Sequence, residues 1–402
     1  MRKIQLHWQI LIALVLAVLF GIFLKDYVNW VSWMGEVFLR ALKMIIIPLV
    51  LSSIISGVTN IGNAENLGRL GLKTISYYVL TSAFAIVTGL ILVNIFRPGV
   101  GADINIEQAV NLDSTRTIGE VLIQIVPDNI VDAFSNNTQM LSVIFFAIIF
   151  GFFITRVGKK SRDIMSDFFN AIFDVMMKVT LFVIRFTPFG IFGLVAETVS
   201  EQDDLLGLME SMGLYMLVVL LALSIHAFIT LPLITRFIGK VRPWKHFNAM
   251  KTPLLTAFST SSSNATLPLT IQAVEDKSGV SNKISSFTLP LGATINMDGT
   301  ALYECVAVMF IAQAYGIEMT IMKQVLVVIT ALLASIGAAG IPMAGLVMIT
   351  IILTVVGLPL EGVGLILAVD RILDMFRTAT NVWSDSCGAV VIAKSEGEEL
   401  RV

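Results

Sequence analysis

Residues Ala368–Lys394 read AVDRILDMFRTATNVWSDSCGAVVIAK, a stretch long enough to cross a bilayer as one helix. It carries Asp370, Asp374, Arg377, Asn381 and Asp385, which step along the chain by four, three, four and four. At 3.6 residues per turn these side chains share one stripe. Ile372, Leu373, Met375, Phe376, Val382, Val390 and Val391 fill the other faces. A charge in hydrocarbon costs a few kcal/mol even on lenient scales, so inside a membrane this stripe must face protein, water or a bound solute. In a soluble protein the same stripe would simply be solvated, and the rest of the chain decides between the two.

Of the 402 residues, 56% are hydrophobic and 14% charged, with mean hydropathy +0.86. A soluble domain averages about 25% charged residues, so this composition is that of a polytopic membrane protein. A net charge of −2 points to no nucleic-acid partner. Cys305 and Cys387 lie in apolar segments and imply neither a disulfide framework nor a metal site. His7, His226 and His246 are scattered and read as interfacial or packed residues rather than ligands. No HExxH, GxSxG or P-loop pattern and no nucleophile–base pair is visible, which argues against an enzyme or an ATP-driven pump. The apolar run Ile10–Leu24 after Arg2 and Lys3 lacks a small-residue cleavage site and reads as a first span rather than a signal peptide.

Spans of roughly 20 apolar residues are expected at 8–25, 34–57, 74–96, 139–156, 165–196 (broken near Pro188), 207–235, 284–314 and 362–394. Two apolar stretches depart from this template. One, 250–274, is interrupted at Ser259–Asn264; the other, 324–356, is interrupted at Gly337–Gly345, leaving arms of about 10 residues, or about 15 Å of helix. Half-length arms around a polar or Gly/Pro tip predict re-entrant hairpins, although short buried helices joined by a loop fit the first stretch as well. Two broken elements, each preceding a polar span, predict an internal inverted repeat and a secondary transporter with its site between the halves. The fold expected is therefore an all-α polytopic membrane protein with eight transmembrane helices and two re-entrant hairpins.

Lys/Arg bias sets the topology. Arg2 and Lys3, then Arg69 and Lys73, then Arg156–Arg162, then Arg236–Lys251 mark inside loops, whereas the acidic loop 197–204 lies outside. Arg97 and Arg116 in the outer loop 97–118 are mild exceptions.

Asn296-Met-Asp-Gly-Thr300 sits within an apolar span and is poor helix material, so a local unwinding over 296–300 is expected. Freed carbonyls with a buried carboxylate are hard oxygen ligands suited to Na⁺, and Asp298 and Asp385 are the candidate anionic ligands. A capped, kinked helix is the alternative at Asp298. The Arg377 fork matches a carboxylate, and Asp374 one turn earlier can receive an ammonium group, a combination that suits an acidic amino acid. The two can equally pair with each other at i, i+3. The tips Ser261, Ser262, Ser263 and Gly345 offer backbone N–H groups for a second carboxylate. Glu304 is a buried carboxyl group suited to carrying a proton, or else a structural residue.

These motifs resemble the glutamate/aspartate (excitatory amino-acid) transporters and their prokaryotic dicarboxylate/amino-acid–cation symporter relatives. The resemblance rests on LRALKMIIIPLV (Leu39–Val50), YYVLTSAF (Tyr77–Phe84), STSSSNATLPLT (Ser259–Thr270), LPLGATINMDGT (Leu289–Thr300), ASIGAAGIPMAG (Ala334–Gly345) and DRILDMFRTATNVWSD (Asp370–Asp385), in family order along nearly the whole chain. It implies a homotrimer working as an elevator in the cell inner (plasma) membrane of a prokaryote, with cytoplasmic termini. Scaffold parts would be 1–65 and 119–200, and transport parts 66–118 and 201–402. It implies substrate contacts at Ser263, Thr300, Ile341, Gly345, Asp374, Arg377, Thr378 and Asn381. One Na⁺ site would use Gly292, Asn296, Asn381 and Asp385. A second would use Tyr78, Thr81, Ser82, Asn296 and Asp298. A third would use carbonyls around Thr294, Ser335, Ile336 and Ala338. The family's further arginine, in the first tip or two residues before Arg377, is replaced here by Ser261 and Met375. The ALYE run ending at Glu304 resembles the proton-coupled, K⁺-counter-transporting branch, so H⁺ and K⁺ stay open beside Na⁺. The function expected is Na⁺-coupled symport of L-aspartate or L-glutamate. A proton-coupled C4-dicarboxylate symporter and, in another class, an anion channel are the alternatives.

Overall fold

The computed structural model describes residues 6–62, 68–102, 123, 126–135, 139–201, 204–337 and 344–402, and helix is the regular structure throughout them. The first helices are α1 (Leu6–Phe23), α2 (Ser32–Gly62), α3 (Gly68–Phe96), α4 (Met140–Ile154), α5 (Lys159–Ile184), α6 (Thr187–Glu201) and α7 (Leu205–Ile225). A π-turn, His226–Thr230, joins α7 to α8 (Leu231–Phe237). There follow α9 (Pro243–Thr260), α10 (Ser263–Ala273), α11 (Asn282–Ile295) and α12 (Asp298–Ala314). The last are α13 (Ile321–Gly337), α14 (Ala344–Val356) and α15 (Val363–Ser395).

The outside of the molecule is apolar. Along α1, Trp8, Leu11, Ile12, Val15, Leu16, Leu19 and Phe23 are exposed; along α3, Leu80, Phe84, Val87, Ile91 and Ile95 are exposed. These are helical stripes far too extensive for a water-facing monomer. Buried positions meanwhile include Asp298, Glu304, Arg377 and Asp385. Apolar outside and polar within is the arrangement of a multi-pass membrane protein.

Four helical stretches are long and apolar enough to span: Ser32–Thr59, Arg69–Phe96, Leu206–Phe237 and Asn282–Ala314. The pair α5 and α6, bent by 50°, makes a fifth. Its break falls at Arg185–Phe186, and Pro188 sits in the first turn of α6, where a missing N–H is harmless. Trp8–Phe23 and Ser142–Ile154 are apolar but shorter.

Two expectations need correction. The arms of the second interrupted stretch are 17 and 13 residues long, not about 10. Helical hydrogen bonding continues past the point where hydropathy fades, because each added residue gains a backbone bond at little further ordering cost. The break in the 284–314 span is also narrower than 296–300. Only Asn296 and Met297 leave the helix, and Asp298 already opens α12.

Helices α1, α2, α4, α5 and α6 pack on one another, as do α3, α7 and α9–α15. Helix α15 lies at the centre of the second group, against α7, α9, α11, α12 and α14. Its stripe is therefore buried at Asp370, Arg377, Asn381 and Asp385, and only Asp374 is left partly exposed.

Candidate functional site

The site is built where the α11–α12 break meets α15. Asn296 and Met297 have φ/ψ of −93°/87° and −115°/54°, outside the helical region. A helix restarted at Asp298 begins with unpaired N–H groups. Asn381 of α15 supplies one acceptor, its Oδ1 taking the Gly299 N–H at 2.8 Å, while its Nδ2 donates to Thr300 Oγ1 at 3.1 Å. One buried amide thus ties the stripe to the break.

On one side of this tie lies a cluster of oxygens. Asp298 accepts from Ser82 Oγ at 2.6 Å and Thr81 Oγ1 at 3.3 Å on α3. It also accepts from Ser384 Oγ at 2.6 Å, and His226 Nε2 stands 2.9 Å away. Asn296 Nδ2 donates to Ser384 Oγ at 3.0 Å and Asp385 Oδ1 at 2.9 Å, and Thr81 Oγ1 lies 3.4 Å from Asn296 Oδ1. Gly292 closes the group: a Cβ there would lie 2.5 Å from Asp385 Oδ1 and 2.7 Å from the Tyr78 hydroxyl. Tyr78 itself donates to the Thr288 carbonyl at 2.8 Å. Tyr78, Thr81, Ser82, Gly292, Asn296, Asp298 and Asp385, distant in sequence, are thus brought together, all of the non-glycine members fully or nearly fully buried. Hydroxyl, amide and carboxylate oxygens are the chemistry that binds a hard cation. Among the described residues no group of three His, Cys, Asp or Glu could hold a metal ion.

On the other side lies Arg377, whose side chain is 1% exposed. Its Nη2 donates to Asp374 Oδ1 at 2.8 Å and pairs with Asp370 Oδ1 at 3.1 Å. Asp370 also accepts from the Tyr303 hydroxyl at 2.7 Å, and the guanidinium carbon sits 3.9 Å from the centre of the Tyr303 ring. The Nε and Nη1 of Arg377 have no hydrogen-bond partner among the described residues. Buried guanidinium donors rarely go unpaired. Gly345, at the start of α14, abuts Nη1 so closely that any Cβ would collide with it. Asp374 is less enclosed and also faces Arg371 Nη1 at 3.8 Å. The i, i+3 pairing left open by the sequence is formed, yet it occupies only one arm of the guanidinium.

The first tip behaves as a helix junction. Ser261, with φ 50° and ψ 41°, ends α9 in the left-handed region, and Ser262 caps α10 by accepting from Ala265 N at 3.2 Å. Phe258 near this tip packs edge-on against Phe376, ring centres 5.0 Å apart, which seats the end of α9 on α15. The Ser261 hydroxyl is buried and has no partner among the described residues. Ser263 opens α10, and Thr378 is buried on α15.

Among the described residues, the side-chain hydroxyls of two other expected residues turn back onto their own helices. Thr294 Oγ1 returns to the Leu291 carbonyl at 2.9 Å, and Ser335 Oγ to Leu332 at 2.8 Å. Ala338 and Ile341 lie outside the described residues, as does the side chain of Ile336. Glu304 is fully buried on α12, and both its carboxyl oxygens lack a partner among the described residues.

Sequence reasoning missed His226, Ser384 and Tyr303. His226 was read as a packed residue, and it is buried, but it faces Asp298 directly and its Nδ1 has no partner among the described residues. The available signal was a lone histidine inside the apolar 207–235 span, at which α7 gives way to a π-turn of the kind often found at functional sites.

The family pattern and the most similar known proteins agree with one another. The pattern of the sodium:dicarboxylate symporter family matches residues 6–395. Excitatory amino acid transporter 3 of Mus musculus is 36% identical over 460 residues, covering 99% of this chain and 87% of that protein. The proton/glutamate-aspartate symporter of Escherichia coli (strain K12) is 36% identical over 415 residues, covering 98% and 93%. The proton/sodium-glutamate symport protein of Geobacillus stearothermophilus is 36% identical over 412 residues, covering 99% and 96%.

Proposed function

The chain belongs to the sodium:dicarboxylate symporter family, a family of transporters and not of enzymes, and on that premise we propose that it couples inward movement of Na⁺ to uptake of L-aspartate or L-glutamate. The observation that carries this reading is the pair of half-sites joined by Asn381. Arg377 offers two unpaired guanidinium nitrogens to an acidic side chain, and the Asp298–Asp385 oxygens offer cation ligands a few residues away. Both depend on Asn381 and the break at Asn296–Met297. Na⁺ bound at the oxygens orders that segment, so the acidic solute then binds at a lower ordering cost; by linkage the solute tightens Na⁺ equally.

The remaining assignments follow the same reading. Ser261, Ser262, Ser263, Thr300, Ile341, Gly345, Asp374, Arg377, Thr378 and Asn381 contact the amino acid. Tyr78, Thr81, Ser82, Gly292, Asn296, Asp298, Asn381 and Asp385 form two Na⁺ sites, and the carbonyls around Thr294, Ser335, Ile336 and Ala338 a third. On this reading eight spans and two re-entrant hairpins leave both termini in the cytoplasm, with the chain in the cell inner (plasma) membrane. The denser packing of α1, α2 and α4–α6 on one another than on α3 and α7–α15 supports a trimerising scaffold (1–65, 119–200) and a moving transport part (66–118, 201–402). Glu304, buried and unpaired, carries a proton on the loaded passage, with K⁺ on the return.

Uptake into proteoliposomes with Na⁺, H⁺ and K⁺ gradients imposed in turn tests this. Accumulation of aspartate is expected only with inward Na⁺, and Glu304→Gln is expected to abolish its response to a pH gradient. Saturation and accumulation against a gradient would exclude the anion-channel alternative. One observation favours a second reading: Asp374 is already paired with Arg377 and Arg371, which weakens its claim on an ammonium group. A proton-coupled C4-dicarboxylate symporter would then bind succinate as well as aspartate, whereas the main reading requires aspartate to win by a wide margin.

A further inference from the structure

A groove with a volume of about 640 Å³ runs along the outer surface where α8 turns into α9. Phe228, Ile229 and Leu233 form its apolar wall, each about half exposed, and the exposed ring of Trp244 faces them. Arg236, Arg242 and Lys245 stand at its other end, and none has an ion pair with a described residue.

The order of these groups along the chain gives their depth. Phe228, Ile229 and Leu233 lie within the span Leu206–Phe237, whereas Arg236 is at its last turn and Arg242 and Lys245 are just beyond it. From residue 228 to residue 236 is about 12 Å of helix rise. The wall therefore lies at acyl-chain depth and the cations at head-group depth, with Trp244 at the level where tryptophan anchors concentrate. Helix α9 also starts here, at Pro243, with no side chain capping its N-terminus, so its positive end points the same way.

We propose that this groove is a binding site for an anionic phospholipid, with its phosphate held by Arg236, Arg242 and Lys245 and an acyl chain laid along Phe228, Ile229 and Leu233. The cations need an anion, and the wall needs a hydrocarbon chain joined to it. A free phosphate leaves the wall bare, and a water-soluble peptide cannot enter at that depth. Basic pockets beside spanning helices are a known class of acidic-lipid site. The groove shares no lining residue with the centre at Arg377 and Asp298, although His226 of the same π-turn faces Asp298.

The test uses the full chain in nanodiscs of phosphatidylcholine containing a minor fraction of phosphatidylglycerol, with lipid retained after detergent extraction counted by native mass spectrometry. Retention of phosphatidylglycerol over phosphatidylcholine is expected. The variant R236Q/R242Q/K245Q is expected to lose that preference by about a hundredfold, since each of the three cations near the surface contributes roughly a fivefold share. The variant R236K/R242K is expected to keep it. Phosphatidylglycerol bearing a photo-reactive group on its acyl chain is expected to label residues 228–233. No preference in the wild-type protein, an unchanged preference in the triple glutamine variant, or labelling confined to other helices would overturn the proposal. Equal binding of water-soluble glycerol phosphate would overturn it too, by showing that the wall is not used.

Discussion

Arg377 and Asp370, two turns apart on the α15 stripe, are joined at 3.1 Å through Nη2 alone, while Nε and Nη1 face no described partner. An arginine kept solely for structure would be expected to use its fork bidentately. The half-used guanidinium leads to the first prediction. Arg377→Ala should weaken binding of aspartate by about 2–5 kcal/mol, the range for truncating one partner of a buried charge pair. Small neutral amino acids should be affected far less. Isothermal titration with aspartate and serine reads the difference, and unchanged aspartate affinity would remove Arg377 from the site.

Gly292 faces Asp385 and Tyr78 with no room for a methyl group. Gly292→Ala must displace one of them, so the Na⁺ concentration for half-maximal uptake should rise several-fold. The affinity for aspartate at saturating Na⁺ should change little. A variant with wild-type Na⁺ dependence would show that these oxygens do not bind the ion.

His226 and Asp298 form a buried pair at 2.9 Å. His226→Ala removes one of the donors to that carboxylate and leaves a void, a loss of about 1–3 kcal/mol where a buried partner is stripped away. The expected readout is a weaker Na⁺ dependence together with a lower thermal midpoint, and His226→Gln should recover part of both. A purely packing role would lower the midpoint and leave the Na⁺ dependence unchanged.

Much of this centre was legible in the sequence because polar residues inside an apolar span stand out. Asp298, Arg377 and Asp385 needed only the rule that buried charge must have company. Asn296, Asp298 and Gly299 announced a break through poor helix propensity, though not its width, since Asp298 recovers the helix by bonding outward to Ser82 and Ser384. His226 and Ser384 were not legible, as their importance lies in contacts across 72 and 86 residues of chain to one carboxylate. Nor was the role of Asp370, which is set by Tyr303 on a different helix.

At the end of α15, Glu396 receives Lys73 and Arg69, each at 2.6 Å. Lys73, and after it Arg69, hold the Glu396 carboxyl below the ordinary glutamate range. A carboxyl group depressed in the folded state stabilises it at neutral pH, and this contribution disappears as pH falls below the ordinary glutamate value and through the lowered one. Glu396→Gln should therefore lower the thermal midpoint slightly at neutral pH and not at acid pH, with the difference shrinking in high salt. A pH-independent difference would contradict the pairing.

The account's central claim is that ion and solute share one ordered segment through Asn381. Titrating aspartate into the purified protein at a series of Na⁺ concentrations tests it most directly. The account predicts that the apparent Kd for aspartate falls steeply as Na⁺ rises, and that Asn381→Ala flattens this dependence. An aspartate affinity independent of Na⁺ in the wild-type protein would contradict it.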